Sequence, residues 1–231
     1  MVVDRLRFRK SFTEAKCLYL LTFLLLLLAV YPYLEGRTWS NRVLGLFITA
    51  VLLSAIYAMS YRRRVFITGL ILGLPIILLQ LFQIWKPEHT FVREAFHLTV
   101  VPFYALVTVT VLNYVLKGDE VTADKIYGAA SVYLMMGLTW GTAYNLIHKV
   151  NPESFHVNPE MIPEGITRWS DLIYFSFVTL TTLGYGDITP VTSQTRSLAF
   201  LEAASGVLYI AILVARLVSM YPGGRSGRPP E

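Results

Sequence analysis

Six uncharged or nearly uncharged runs, at residues 17–34, 43–61, 65–85, 95–116, 126–147 and 197–215, leave this chain few ways to fold. At about 1.5 Å of rise per residue, each is long enough as a helix to cross a hydrocarbon layer of about 30 Å. A bilayer tolerates only segments that satisfy their backbone groups internally, so the expected fold is all-α, with six transmembrane helices. The composition agrees, since 55% of residues are hydrophobic and 15% charged, far from the soluble average. The first run could also be read as the core of a signal peptide. Such a core has about 7 to 15 residues and a small-x-small cleavage site, whereas this run is longer and ends in Tyr31-Pro32-Tyr33, which favours a spanning helix. The single cysteine, Cys17, excludes an internal disulfide.

The basic residues orient the bundle. With both termini on the cytoplasmic side, Arg5, Arg7, Arg9, Lys10, Lys16, the triplet Arg62-Arg63-Arg64, Lys117, Lys125, Arg216, Arg225 and Arg228 fall inside. Arg37, Arg42, Lys86, Arg93, Lys149, Arg168 and Arg196 fall outside, a bias of the sign that the positive-inside rule requires for a protein of the cell membrane. The formal charge of +5 is explained by this asymmetry and gives no reason to expect a nucleic acid. The triplet could bind anionic lipid heads, or it could be a topology signal alone.

Between the fifth and sixth runs lies Leu172 to Leu180, aromatic, uncharged and too short to span, with Ser170 and Asp171 offering an N-cap. It reads as a re-entrant helix whose C-terminal dipole would favour a cation. Directly after it comes Thr181-Thr182-Leu183-Gly184-Tyr185-Gly186-Asp187. Gly184 and Gly186 can take positive φ without penalty, as an ordinary tight turn or an unusual carbonyl array would require. Ile188-Thr189-Pro190 then breaks the helical pattern.

With its flanking runs, this stretch resembles the selectivity filter of the potassium channel family. The resemblance covers roughly residues 125 to 220 and is only architectural before that. It implies a homotetramer in which each chain contributes one filter and passes K+ without covalent chemistry or a cofactor. The ion-coordinating rings would come from the carbonyls of Thr182, Leu183, Gly184 and Tyr185 and the Thr182 hydroxyl, with Gly186 completing the motif and Thr181 and Asp187 supporting it. Leu183 stands where Val or Ile is commoner. Some relatives pair the filter Asp with an acid in the pore helix; Val178 occupies that place here, so Asp187 needs another partner.

The same resemblance divides the chain into an N-terminal arm (1–16), a four-helix scaffold (17–116), a linker (117–125), a pore domain (126–220) and a tail (221–231). Residues 95–116 contain no Lys or Arg, so the arginine ladder of a voltage sensor is missing, and the first four helices read as scaffold. In the sixth run Gly206 falls at the family's hinge glycine. Val207, Ile210, Val214 and Val218 share one helical face, either a dewetting gate or a packing surface. Glu202, one turn before Gly206, is an intramembrane acid, placed with the inner pore or hydrogen-bonded to the pore helix. Gly137 and Gly141 form a small-xxx-small pair, with Ala199, Ala203 and Ala204 as candidate partners. The segment from Lys149 to Arg168 reads as an extracellular turret without a catalytic pattern. The tail is too short for a nucleotide-, calcium- or cofactor-binding domain. His89, His97, His148 and His156 all fall outside and, with an ordinary pKa of about 6.5, would let external acid modulate the channel. Competing readings are a potassium uptake transporter subunit, which needs further filter repeats, a non-selective cation channel, which needs a degraded motif, and a membrane adaptor whose motif is inert.

Overall fold

The computed structural model describes residues 15–34, 40–61, 63–86, 90–117, 122–160, 165–166 and 168–220. The basic arm with Arg5, Arg7, Arg9 and Lys10, together with Arg37, Arg62, His89, the linker acids Asp119 and Glu120, and the tail with Arg225 and Arg228, lies outside them.

Among the described residues, seven α-helices follow one another: α1 (Lys16–Leu34), α2 (Ser40–Ala58), α3 (Arg63–Trp85), α4 (Thr90–Leu116), α5 (Ala123–Val150), the short α6 (Trp169–Leu180) and α7 (Ser193–Met220). Between α5 and α6 lies β1 (Phe155–Val157), and between α6 and α7 lies β2 (Ile188–Pro190). Among the described residues, five helices are long and apolar enough to cross a membrane: α1 to α4 and α7. The expected fifth span is present as α5 but is not among them. Its tyrosines, glycines, threonines and Asn145 dilute its apolar character because much of it is covered by protein; Ser131, Thr142, Tyr144 and Asn145 are all buried.

Helix α1 is apolar all round, yet Cys17, Leu20, Leu24 and Leu27 are buried at helical spacing while Leu25, Leu26 and Tyr33 are exposed. One stripe meets protein and the rest is left for lipid. The buried stripe joins Val51, Leu52 and Ile56 of α2, Phe103, Val107 and Val111 of α4, and Val132, Met135 and Leu138 of α5 in one core. The first four helices are therefore fused to α5 rather than standing beside it. Asp124 in the first turn of α5 reinforces the joint by accepting from the Cys17 N–H (2.8 Å), the Tyr114 hydroxyl (2.9 Å) and the Tyr61 hydroxyl.

At the opposite end, β1 pairs antiparallel with β2, setting Phe155 opposite Pro190 and Val157 opposite Ile188. The turret is thus tied to the chain that leaves the Thr181–Asp187 segment. Its inner side packs as a second cluster of Tyr144, Phe155, Leu172, Phe175 and Ile188. The pair Gly137 and Gly141 faces α6, not α7: a Cβ on Gly137 would lie 2.6 Å from the Phe177 ring, and one on Gly141 would lie 2.7 Å from the Ile173 Cα. The alanines of α7 are therefore not its partners.

Candidate functional site

Helix α6 begins two residues earlier than a cap at Ser170 would start it. Asp171 accepts from the Arg168 N–H (2.9 Å), so it serves the first turn from inside the helix while Arg168 holds the cap position. The helix stops at Thr181, whose N–H and hydroxyl both turn back to the Phe177 carbonyl.

Beyond it the backbone alternates in hand. Thr182 has φ +58°, Gly184 +58° and Gly186 +80°, while Leu183 and Tyr185 between them are not in the left-handed region. A Cβ on Gly184 or Gly186 would meet nothing within 4 Å, so these glycines answer to backbone conformation rather than to space. The N–H groups of Leu183 (2.9 Å) and Gly184 (3.3 Å) both donate to the Val178 carbonyl, and that of Thr182 donates to Thr179 (2.9 Å). The donors therefore point back at α6. Among the described residues, no hydrogen bond is made to the carbonyls of Thr182, Leu183, Gly184 or Tyr185. What remains is a row of acceptors at the C-terminal end of a helix, chemistry suited to a desolvated cation.

Asp187 finds its partner one turn before Val178. The Tyr174 hydroxyl donates to Asp187 Oδ2 (2.6 Å), the Ile188 N–H donates to Oδ1 (3.0 Å), and the Asp187 carbonyl accepts from the Asn158 N–H (2.9 Å). Sequence reasoning missed this tether. Its signal was available, since Tyr174 and Val178 are four residues apart on one helical face and a phenol reaches farther than a carboxyl group.

Helix α7 has two distinct faces. Glu202, Gly206 and Tyr209 are buried against α6 and α5, whereas Val207, Ile210, Val214 and Val218 are exposed. Glu202 and Gly206 are thus separated from the apolar row with which the sequence reading grouped them. A Cβ on Gly206 would lie closer than 3.0 Å to the Leu180 carbonyl oxygen, so glycine here permits α7 to rest on the last turn of α6. Tyr209 donates to the Ala129 carbonyl of α5 (2.6 Å).

Glu202 is fully buried and bridges three helices. Tyr144 of α5 donates to its Oε2 (2.7 Å), and its Oε1 meets the Ser176 hydroxyl of α6, which also reaches the Gly137 carbonyl (2.8 Å). A hydroxyl has one proton. The geometry is satisfied in full by a neutral acid that donates from Oε1 to Ser176, with Ser176 donating to Gly137. A buried carboxylate with no cation beside it would be far costlier.

The histidines do not gather around this segment. His97 and His148 line a separate cavity between α2, α3, α4, α5 and the start of α6, and His156 is exposed on β1.

Residues 132–221 match the family described as "Ion channel". A 49-residue stretch is 47% identical to "Two-pore potassium channel 4" of Arabidopsis thaliana, covering 21% of this chain and 17% of that one. The chain is 31% identical over 90 residues to the uncharacterized membrane protein YdjJ of Bacillus subtilis (strain 168), 39% of this chain and 25% of that one. It is 28% identical over 100 residues to Protein LctB of Bacillus caldotenax, 43% of this chain and 74% of that one. The matches to the first two thus span a quarter or less of those relatives' own length. No solved structure matches the chain.

Proposed function

We propose that this membrane protein, whose residues 132–221 are an ion channel domain of the potassium-channel type, is a K+-selective channel that conducts passively as a homotetramer. The observation that carries the reading is the alternating backbone at Thr182, Gly184 and Gly186, with N–H groups turned back on Val178 and the carbonyls of residues 182–185 left without partners. Four such rows around an axis would replace the water of a K+ ion. The oligomer is supported by apolar surface that one chain leaves bare: Leu183 and Tyr185 are 54% and 62% exposed, and α7 is the least buried of the apolar helices. In this reading α6 is the pore helix, α5 and α7 are the outer and inner helices, and α1 to α4 form a scaffold in the cell membrane with both termini inside. The test is a planar-bilayer recording of purified protein with potassium on one side and sodium on the other. Reversal should follow the potassium gradient, and equal permeability to the two ions would refute selectivity.

The exposed row Val207, Ile210, Val214 and Val218 would line the inner pore, where an apolar ring closes by dewetting. Val214→Ser should therefore raise resting open probability in single-channel records, and an unchanged record would make this row a packing surface. The Tyr174 tether makes a different prediction. Tyr174→Phe removes one hydrogen bond to a charged group, a loss of about 1.5–3 kcal/mol, at the outer end of the filter. Conducting bursts should shorten while unitary selectivity is kept, and bursts of wild-type length would show that Asp187 is held by its backbone contacts alone.

A further inference from the structure

The fold also forms a half-open cavity that contains none of the residues of the Thr181–Asp187 segment. A cavity of about 670 Å³ lies where α2, α3, α4 and α5 meet the start of α6, within the usual size range of ligand pockets. Three buried side-chain nitrogens in its wall have no hydrogen-bond partner among the described residues: His97 Nδ1, Asn145 Nδ2 and His148 Nδ1. Asn145 is only 6% exposed, so its amide N–H₂ is a donor withdrawn from water and aimed at nothing the protein supplies. Leaving such a group empty costs about 1–3 kcal/mol. The two Nδ1 atoms can donate as well, in the Nδ1–H tautomer.

Charge points the same way. Arg93, Lys149 and Arg168 line the cavity, and among the described residues no Asp or Glu does. Lys149, beyond the apolar part of α5, has its pKa lowered by burial and by the neighbouring Arg93 guanidinium, while Glu94 acts in the opposite sense. Arg93 and Lys149 are thus like charges held close together. The remaining wall is apolar and includes Leu44, Ile48, Ile84 and Phe96. These donors stand on two helices, α4 and α5, and a phosphate group offers more acceptor oxygens to such a set than a carboxylate does.

We propose that this cavity binds a phosphate group, with Arg93, Lys149, Asn145 and the two histidines as its donors and the apolar wall seating whatever the phosphate carries. The shared chemistry has two sources, a phospholipid headgroup or a free phosphate. The site is independent of the channel reading, since it contains none of the residues of the Thr181–Asp187 segment.

The experiment is thermal unfolding of the purified full chain in nanodiscs of phosphatidylcholine alone, with phosphatidylglycerol added, or with sodium phosphate added to the buffer. Occupancy well above the dissociation constant should raise Tm by about 5 °C. The shift should disappear in Arg93→Gln/Lys149→Gln and persist in Arg196→Gln, which removes a cation outside the cavity. Lys149 stands at the solvent-open rim of the cavity, so Lys149→Met alone should at least halve the shift if the double variant does not fold. A shift with phosphatidylglycerol only assigns a lipid headgroup, and a shift with inorganic phosphate assigns the free anion. No shift with either, or an equal shift in the cavity variants and in Arg196→Gln, overturns the proposal.

Discussion

Gly206→Ala is expected to abolish the proposed ion current and to destabilise the protein by about 2–3 kcal/mol, the cost of overpacking a tight contact. The added methyl would meet the Leu180 carbonyl oxygen at less than 3.0 Å, and this neighbour is backbone, unable to swing aside. Leu180 is the last residue of α6 and stands two positions before Thr182, so relief of the clash must move either α7 or the carbonyl row itself. A hinge glycine would behave in the opposite way. Alanine at a mere hinge raises helix propensity by about 1 kcal/mol, so the variant would be more stable and stay closed. Unfolding in detergent together with bilayer current decides between the two. A stabilised, silent Gly206→Ala would restore the hinge, whereas an unstable one, beside an unaffected Ser205→Ala, establishes the contact.

Glu202 should separate two substitutions that a pore-facing acid would not. Glutamine mimics the neutral acid atom for atom: its carbonyl accepts from Tyr144, and its amide donates to Ser176, which still donates to Gly137. Glu202→Gln should therefore keep stability within about 1 kcal/mol of the parent and leave unitary conductance unchanged. Glu202→Ala orphans the buried Tyr144 hydroxyl, takes one of two partners from Ser176 and opens a void, a loss of about 3 kcal/mol or more. The larger expected effect is functional, because Ser176 belongs to the helix from which the carbonyl row hangs. If Glu202→Gln is as damaging as Glu202→Ala, the acid is ionised in the parent. If Glu202→Gln instead lowers conductance with stability intact, the side chain reaches the ions.

The membrane-spanning runs were legible because crossing a bilayer imposes a length and an apolar composition that few soluble segments imitate. Helix α5 shows the limit of that rule. It is a helix as expected, yet its polar residues are sheltered by protein, and hydropathy alone cannot distinguish cover by protein from cover by water. Gly184 and Gly186 announced positive φ by residue type, whereas Thr182 did not, since a threonine enters that region only where its surroundings compel it. Partners across the fold were the least legible. The face carrying Gly137 and Gly141 was recognisable as a close-contact surface, but nothing local indicated that it receives Ile173 and Phe177 rather than the alanines of α7. The β1–β2 pair was equally hidden, because strands of three residues are too short for alternation to emerge from the surrounding loop.

The knot at Asp124 has a mechanical consequence. With α5 clamped there to α1, α4 and Tyr61, and held at its far end through the turret strand, a load on the bundle cannot easily bend or shift that helix. Helix α7 is braced differently, by Glu202, Gly206 and Tyr209 in its first two thirds. Past Tyr209, where Leu213 still packs on the main core, about 16 Å of helix remains. A tilt of about 10° at the brace would carry its tip about 3 Å, given that length, while the carbonyl row above the brace stays still.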